Sequence, residues 1–165
     1  MKKTKLLITT AMLAALICVA TIVIQIPSVS GGYINLGDPI ILFASAFLPP
    51  IYSFVAAAVG SALADLLSGF VLYAPATFVI KGLMALVSYG VFALISRRHK
   101  VSFTRIFSSV AAECVMILGY FTFEGFVYGF GASLVNIPAN AVQGAVGVIL
   151  GSLLINIFKR YDLFK

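Results

Sequence analysis

Ionisable side chains lie within or beside the long apolar runs of this chain, where they could bind a polar solute or hold a proton. They are four acids and one lysine: Asp38, Asp65, Lys81, Glu113 and Glu124. A lone charge at mid-membrane costs roughly 2.5–3.5 kcal/mol on insertion scales, so each of these groups should find a partner or water. The pattern predicts polar chemistry inside an apolar protein.

Residues for histidine- or thiol-based chemistry are missing from suitable positions. His99, the one histidine, lies in a basic loop, so a zinc site or a serine–histidine dyad has no histidine at membrane depth. Cys18 and Cys114 fall inside apolar runs, which argues against a disulfide or paired metal ligands. The chain has no G-x-x-x-x-G-K-[ST] motif to hold ATP phosphates. We expect no metal and no cofactor.

The composition identifies a lipid bilayer as the solvent. Hydrophobic residues make up 62% of the 165 residues and charged residues 10%, against roughly 45–50% and about 25% in soluble domains. A soluble domain of about 150 residues buries only about 70% of its chain's surface, so it cannot hide this much apolar area. The length suits a single domain over residues 1–165. We therefore expect an all-α membrane protein.

Apolar runs separated by Gly, Pro and Ser predict six transmembrane helices, at about residues 6–26, 39–50, 51–69, 75–96, 104–127 and 138–158. The first run is longer than the core of about 7–15 residues that is usual in a signal peptide. The second run covers only about 18 Å at 1.5 Å per residue, less than the ~30 Å hydrocarbon core. Its length alone also fits a re-entrant segment.

Basic residues orient these helices. Three clusters lie at the two ends of the chain and in the loop after the fourth helix, namely Lys2, Lys3 and Lys5, then Arg97, Arg98, Lys100 and Arg105, then Lys159, Arg160 and Lys165. The positive-inside rule places all three clusters, and so both termini, on the cytoplasmic side. An even number of crossings must then separate the first two clusters, so the short second run is predicted to cross. The net charge of +6 is an orientation signal.

Two charged residues are predicted at similar depth. Asp65 is about four residues below the outer end of the third helix and Lys81 about six residues below that of the fourth, within a few Å at 1.5 Å per residue. One hypothesis is that they pair across neighbouring antiparallel helices; the alternative is that both snorkel toward the outer interface or separately bond to backbone groups. Glu113 lies deeper and is either structural or proton-linked.

Further polar groups share the outer half of the predicted bundle. The candidate substrate-binding residues are Asn35, Asp38, Asp65, Lys81, Tyr120, Glu124, Asn136, Asn140 and Gln143. Tyr33, Tyr73 and Tyr128 lie at comparable heights, where aromatic belts also form. An outward-facing cavity with these groups suits a small polar aromatic solute. The loop with Gly31, Gly32 and Gly37 would be its lid.

The first helix has a pair of small residues, Ala11 and Ala15, four positions apart. Such a pair lets another helix approach closely, either from a partner protein or from within the bundle, and the residues alone leave that choice open. Three function classes compete: a proton-coupled secondary transporter using Glu113, an intramembrane enzyme using the buried acids and Lys81, and a purely structural membrane subunit.

The whole chain resembles the substrate-binding S components of energy-coupling factor (ECF) transporters, which take up vitamins. The resemblance rests on the Ala-rich first helix, on residues 36–39 (Leu-Gly-Asp-Pro), on residues 48–50 (Leu-Pro-Pro), and on residues 60–66 (Gly-Ser-Ala-Leu-Ala-Asp-Leu). It implies six helices, capture of a vitamin from outside under the first loop, and no enzymatic activity. Residues 60–66 are similar to the G-x-x-x-A-D element of riboflavin-type members.

The resemblance also implies partners. S components work with a transmembrane coupling protein and two ATPases in the bacterial cytoplasmic membrane, and the AxxxA element that meets the coupling protein maps onto Ala11 and Ala15. Side chains that vary between members decide which vitamin binds, so the fold does not supply it. One lysine, several carboxylates and no tryptophan favour pyridoxine or the hydroxymethylpyrimidine precursor of thiamine, with riboflavin next.

Overall fold

The computed structural model describes residues 3–28, 31–96 and 100–160. The described chain contains six helices: α1 (Lys3–Val23), α2 (Asp38–Phe47), α3 (Pro50–Leu67), α4 (Ala74–Ile95), α5 (Val101–Tyr128) and α6 (Phe130–Arg160). Five of these are long and apolar enough to span a membrane, and α2 is the shorter exception. Lys2, Arg97, Arg98, His99 and Lys165, which entered the orientation argument or the search for catalytic groups, lie outside the described residues.

Proline and glycine set the helix boundaries. Proline occupies the first or second position of α2, α3 and α4, where its missing N–H would have had no helical partner and its fixed φ suits a helix. Gly129, at φ 91°, is the single residue between α5 and α6. A positive φ is readily available only to glycine, so the chain reverses there within one residue.

The helices pack in the spatial order α1, α3, α4, α5, α6, and α2 lies against α6, α4, α3 and α1. Because α2 has neighbours on so many sides, its side chains form much of the core: Ile41, Leu42, Phe43 and Ala44 are all buried. Helices α1 and α3 approach closely, since a Cβ at Gly60 would overlap the backbone oxygen of Ala14. The small residues of α3 therefore serve internal packing.

The observed bounds differ from the expected ones by up to three residues at most helix ends, and more at the start of α6. Helix α6 begins at Phe130, eight residues before the predicted start, and includes Pro138. Proline is tolerated in membrane helices because its neighbours satisfy the freed backbone groups. Helix α1 ends at Val23, and residues 25–27 instead pair antiparallel with residues 33–35 as a short hairpin, Ile26 opposite Ile34.

Candidate functional site

The hairpin of strands β1 (Gln25–Pro27) and β2 (Tyr33–Asn35) lies at the end of the bundle where α4 and α6 begin. Its hydrogen bonds reach two helices. Asn136 of α6 accepts from the Ser28 hydroxyl at 2.6 Å and donates to the Gly31 carbonyl at 3.2 Å. Gln25 donates to Ser68, just after α3, at 2.7 Å. The hairpin is thus fastened by a few polar contacts.

A buried ion pair lies beneath the hairpin. The Lys81 ammonium on α4 pairs with one carboxylate oxygen of Asp38 at the start of α2. The other Asp38 oxygen accepts from Gln143 of α6 at 2.5 Å. Asp38 and Lys81 are 0% and 1% exposed, so the pair, together with Gln143, joins three helices inside the bundle. The predicted pairing of Asp65 with Lys81 is wrong, because Asp38, which begins the central helix α2, lies closer to the lysine.

Asp65 is held from the hairpin instead. Its Oδ1 accepts from the Tyr33 hydroxyl at 2.5 Å. Burial and the neighbouring carboxyl raise the pKa of Tyr33, so this phenol remains a donor at neutral pH. The Oδ2 of Asp65 is buried and has no hydrogen-bond partner among the described residues. One oxygen of this carboxyl therefore accepts from the hairpin, and the other is unpaired in the lining of the cavity described below.

A further acid near the hairpin is Glu124 of α5. Its Oε2 accepts from the Asn136 amide at 2.9 Å, and its Oε1 is 3.4 Å from the Tyr73 hydroxyl, a long contact. Because Asn136 also contacts residues 28 and 31, this amide links the acid to the hairpin. Movement of the hairpin would remove two contacts of the Asn136 side chain that bonds to Glu124.

These groups surround one cavity under the hairpin. Its lining includes seven of the nine predicted substrate-binding residues: Asn35, Asp65, Lys81, Tyr120, Glu124, Asn140 and Gln143. The other two, Asp38 and Asn136, stand behind the lining and hold Lys81 and Glu124. The cavity volume is about 20 Å³, close to what one water molecule needs. A ring-shaped solute can enter only if the hairpin or the tyrosines that line the cavity move.

Some lining residues were not chosen from the sequence. Thr77 lies one turn before Lys81, and its hydroxyl is 3.0 Å from that of Tyr120. Ser61 lies one turn before Asp65 and also lines the cavity. The sequence could have indicated both residues, because each lies four positions before a buried charge, and positions i and i+4 share a helix face. Among the described residues, no group of three or more metal-ligand side chains occurs.

Glu113 stands apart from this cavity. It is 4% exposed on α5, and neither carboxyl oxygen has a hydrogen-bond partner among the described residues. A Cβ at Gly147 would meet the carboxyl group of Glu113 and the Cβ of Asp38, so the two acidic residues pack against the same spot on α6. Glu113 also lines an apolar groove between α5 and α6.

Glu113→Gln should therefore stabilise the protein. A neutral amide of the same shape cannot ionise, and it replaces a buried carboxyl that lies near Asp38 and has no donor among the described residues. We expect the Tm in detergent to rise by about 2–4 °C, the shift that about 1 kcal/mol gives in a chain of this size. Asp38→Asn is the matched buried acid-to-amide control and should lower the Tm. A fall of similar size in both variants would show that the Glu113 carboxylate has a stabilising partner.

Comparisons with known proteins agree with this architecture. A family model described as the ECF-type riboflavin transporter S component matches residues 1–160. The chain belongs to this ECF S component family. It is therefore a vitamin-binding subunit of a transporter, and it is a multi-pass membrane protein. Its family and fold are those of a transport component and not of an enzyme.

Two further similarities cover nearly the whole S component. An uncharacterized protein of Pyrococcus woesei is 33% identical over 146 residues, which are 87% of this chain and 95% of the relative. A solved structure of the S component of a bacterial ECF transporter superposes with a TM-score of 0.75 at 21% identity, covering 98% of this chain and 99% of that one. The second similarity confirms the fold.

The surface of α1 in this S component contains the predicted small-residue pair. Ala11 and Ala15 are both exposed, beside Met12 at 67% and Val19 at 55% exposure. The opposite face, with Leu13 and Ile17, is buried. Neither alanine is therefore used for packing inside the bundle, which removes one of the two roles that the sequence left open.

Proposed function

We propose that this S component captures a water-soluble vitamin or vitamin precursor in the cavity under the hairpin and delivers it through an ATP-driven module. The observation that supports this most is the arrangement of polar side chains. They are buried at one end of an apolar bundle, under a hairpin that a small number of hydrogen bonds hold in place. Such a site binds a solute of matching polarity from the side that the hairpin faces.

The orientation completes the proposal. Both termini lie in the cytoplasm, helix α2 contributes a crossing, and the hairpin faces outward across the bacterial cytoplasmic membrane. Described basic residues at the opposite end, including Lys3, Lys5, Lys100 and Arg105, support this through the positive-inside rule. The vitamin then enters the cavity from outside.

Delivery requires partners that the chain does not itself contain. We assign a transmembrane coupling protein and two ATPase subunits to this role, and the exposed Ala11–Ala15 face of α1 to the contact with the coupling protein. Close approach of a helix needs small residues on its surface. No ATP-binding motif is present in this chain, which supports an external source of energy.

The lining favours pyridoxine or the hydroxymethylpyrimidine precursor of thiamine, with riboflavin next. Carboxylates, amides and tyrosine hydroxyls surround the cavity, and these groups suit a compact ring with hydroxyl or amino substituents. A proton-coupled carrier remains the competing class. It would move solute down an imposed proton gradient when reconstituted alone, and an S component would not.

Mass spectrometry of the bound molecule tests the proposal. We expect protein purified in detergent and then denatured to release about one vitamin or precursor molecule per chain, because a site closed to about 20 Å³ releases its ligand only after the hairpin opens. Protein washed and unfolded after incubation with each candidate vitamin is the control for ligand lost in purification. Absence of any bound vitamin in both samples would contradict the proposal.

A further inference from the structure

We propose that the cavity selects a heteroaromatic ring with an amidine-type edge, an exocyclic amine next to a ring nitrogen, and that Asp65 is the group that recognises this edge. The inference rests on the proposed vitamin-binding function and narrows its substrate class. A 4-aminopyrimidine is the simplest ring of this kind among vitamin precursors.

The first reason is the balance of charge around the cavity. Two acids, Asp65 and Glu124, line it together with a single lysine, Lys81. That lysine is already neutralised by the carboxylate of Asp38, whose second oxygen is taken by Gln143. Among the described lining residues no cation remains for the two acids. A ligand that carries a positive charge, or that shares a proton with a carboxyl, would balance the charge of these acids.

The second reason is the free oxygen of Asp65. Asp65 is 4% exposed, its Oδ1 accepts from Tyr33, and its Oδ2 has no donor among the described residues. A buried acceptor without a donor is unfavourable, and more so when charged. The carboxyl lines the cavity, so a ligand is the natural source of the donor.

The geometry of an amidine edge matches a carboxyl group. The exocyclic amine donates to one oxygen, and one proton is shared between the ring nitrogen and the other oxygen. Oδ1 can take part while it accepts from Tyr33, because each carboxylate oxygen has two lone pairs. Two parallel hydrogen bonds with a charged partner are stronger and more specific than one neutral bond. The ring and the Asp65 carboxyl together hold one proton. Their total charge is the same whether that proton is on the ring nitrogen or on Asp65, so no other group must change its charge.

The remaining lining residues suit a flat ring and disfavour the alternatives. Tyr33, Tyr73 and Tyr120 line the cavity, and aromatic side chains can stack on a heterocycle. The pyrimidine edge of riboflavin presents two carbonyl oxygens on either side of one N–H. Those carbonyls would face acceptors at Asp65 and Glu124, where like dipoles repel. Pyridoxine has hydroxyl donors and no amine beside its ring nitrogen.

Calorimetric titration in detergent at neutral pH tests the inference. The probes are 4-amino-5-hydroxymethyl-2-methylpyrimidine, thiamine, riboflavin, pyridoxine, and the matched 4-oxo analogue of the first. The analogue exchanges the amine donor for a carbonyl acceptor and keeps the shape. We expect an aminopyrimidine to bind at least 30-fold more tightly than the 4-oxo analogue, and more tightly than riboflavin or pyridoxine. The first two probes distinguish the free pyrimidine from thiamine.

Variants then assign the preference to Asp65. Asp65→Asn should bring the amino and 4-oxo compounds to within about threefold of each other, whereas Glu113→Gln, a buried acid outside the cavity, should keep the full difference. The Tm of each variant shows whether it is folded, and the wild-type ranking stands without any variant.

The outcomes separate the two claims. Tight binding of riboflavin, pyridoxine or the 4-oxo analogue in preference to the amines would overturn the inference and leave the proposed vitamin-binding function in place. A preference for amines that survives in Asp65→Asn would overturn the role of Asp65. If none of the five compounds binds, the inference fails, and the proposed function fails with it only if denatured protein also releases no vitamin.

Discussion

Replacing Lys81 by methionine should destabilise this protein by about 3–5 kcal/mol, the cost of removing one partner from a buried ion pair. Asp38 is fully buried and would keep only its bond from Gln143. Methionine fills the space of the lysine stem, so the effect reports the lost charge and not a cavity. Thermal or denaturant unfolding in detergent measures it, and vitamin affinity should fall at least tenfold, or about 1.4 kcal/mol.

The double variant Lys81→Met/Asp38→Asn should recover much of this loss. Removing both charges leaves a neutral amide that Gln143 can still contact, so the interaction energy from the double-mutant cycle should be large. The matched cycle is Lys81→Met with Asp65→Asn, whose effects should be close to additive because Lys81 pairs with Asp38. A larger interaction energy in the cycle with Asp65 than in the cycle with Asp38 would mean that Asp65 is the main electrostatic partner of the lysine.

The expected and observed partners of Lys81 show what depth arguments can and cannot predict. Counting residues from helix ends placed Asp65 and Lys81 at one level, and both do line one cavity. The rotation of each helix decides which side chains meet at that level, and rotation depends on tertiary packing. Asp38 looked like the end of a loop, yet it begins the helix that the others surround.

The outer connections were harder to predict than the helices. Residues 24–37 contain Pro, Gly and Ser, which indicate a loop, and the three-residue strands within it are too short to produce a clear alternating pattern. Pro138 suggested the start of a helix, since proline is frequent at a first position. The apolar residues from Phe130 onward extend α6 before it, and membrane packing overrode the local signal.

Replacing both Ala11 and Ala15 by leucine should abolish assembly with the coupling protein and leave vitamin binding within about twofold of the wild type. The two alanines are exposed on α1, whose buried face is formed by other residues. Each leucine adds bulk where a partner helix must come close, and small residues are what permit such an approach in membranes. Co-purification of the tagged S component with the coupling protein and ATPases measures assembly, and calorimetric titration measures binding.

The chain offers a matched control on α6. Ala141 and Ala145 are also exposed, four residues apart, and line the apolar groove between α5 and α6, on a helix that packs mainly against α5 and α2. Leucine at both positions adds the same volume to a different face, so assembly should persist. Equal loss of assembly from both pairs would indicate a general effect of surface bulk. Loss of vitamin binding in the Ala11/Ala15 variant would mean that this face supports the fold of the bundle, because Thr21, the residue by which α1 lines the cavity, lies six positions beyond Ala15.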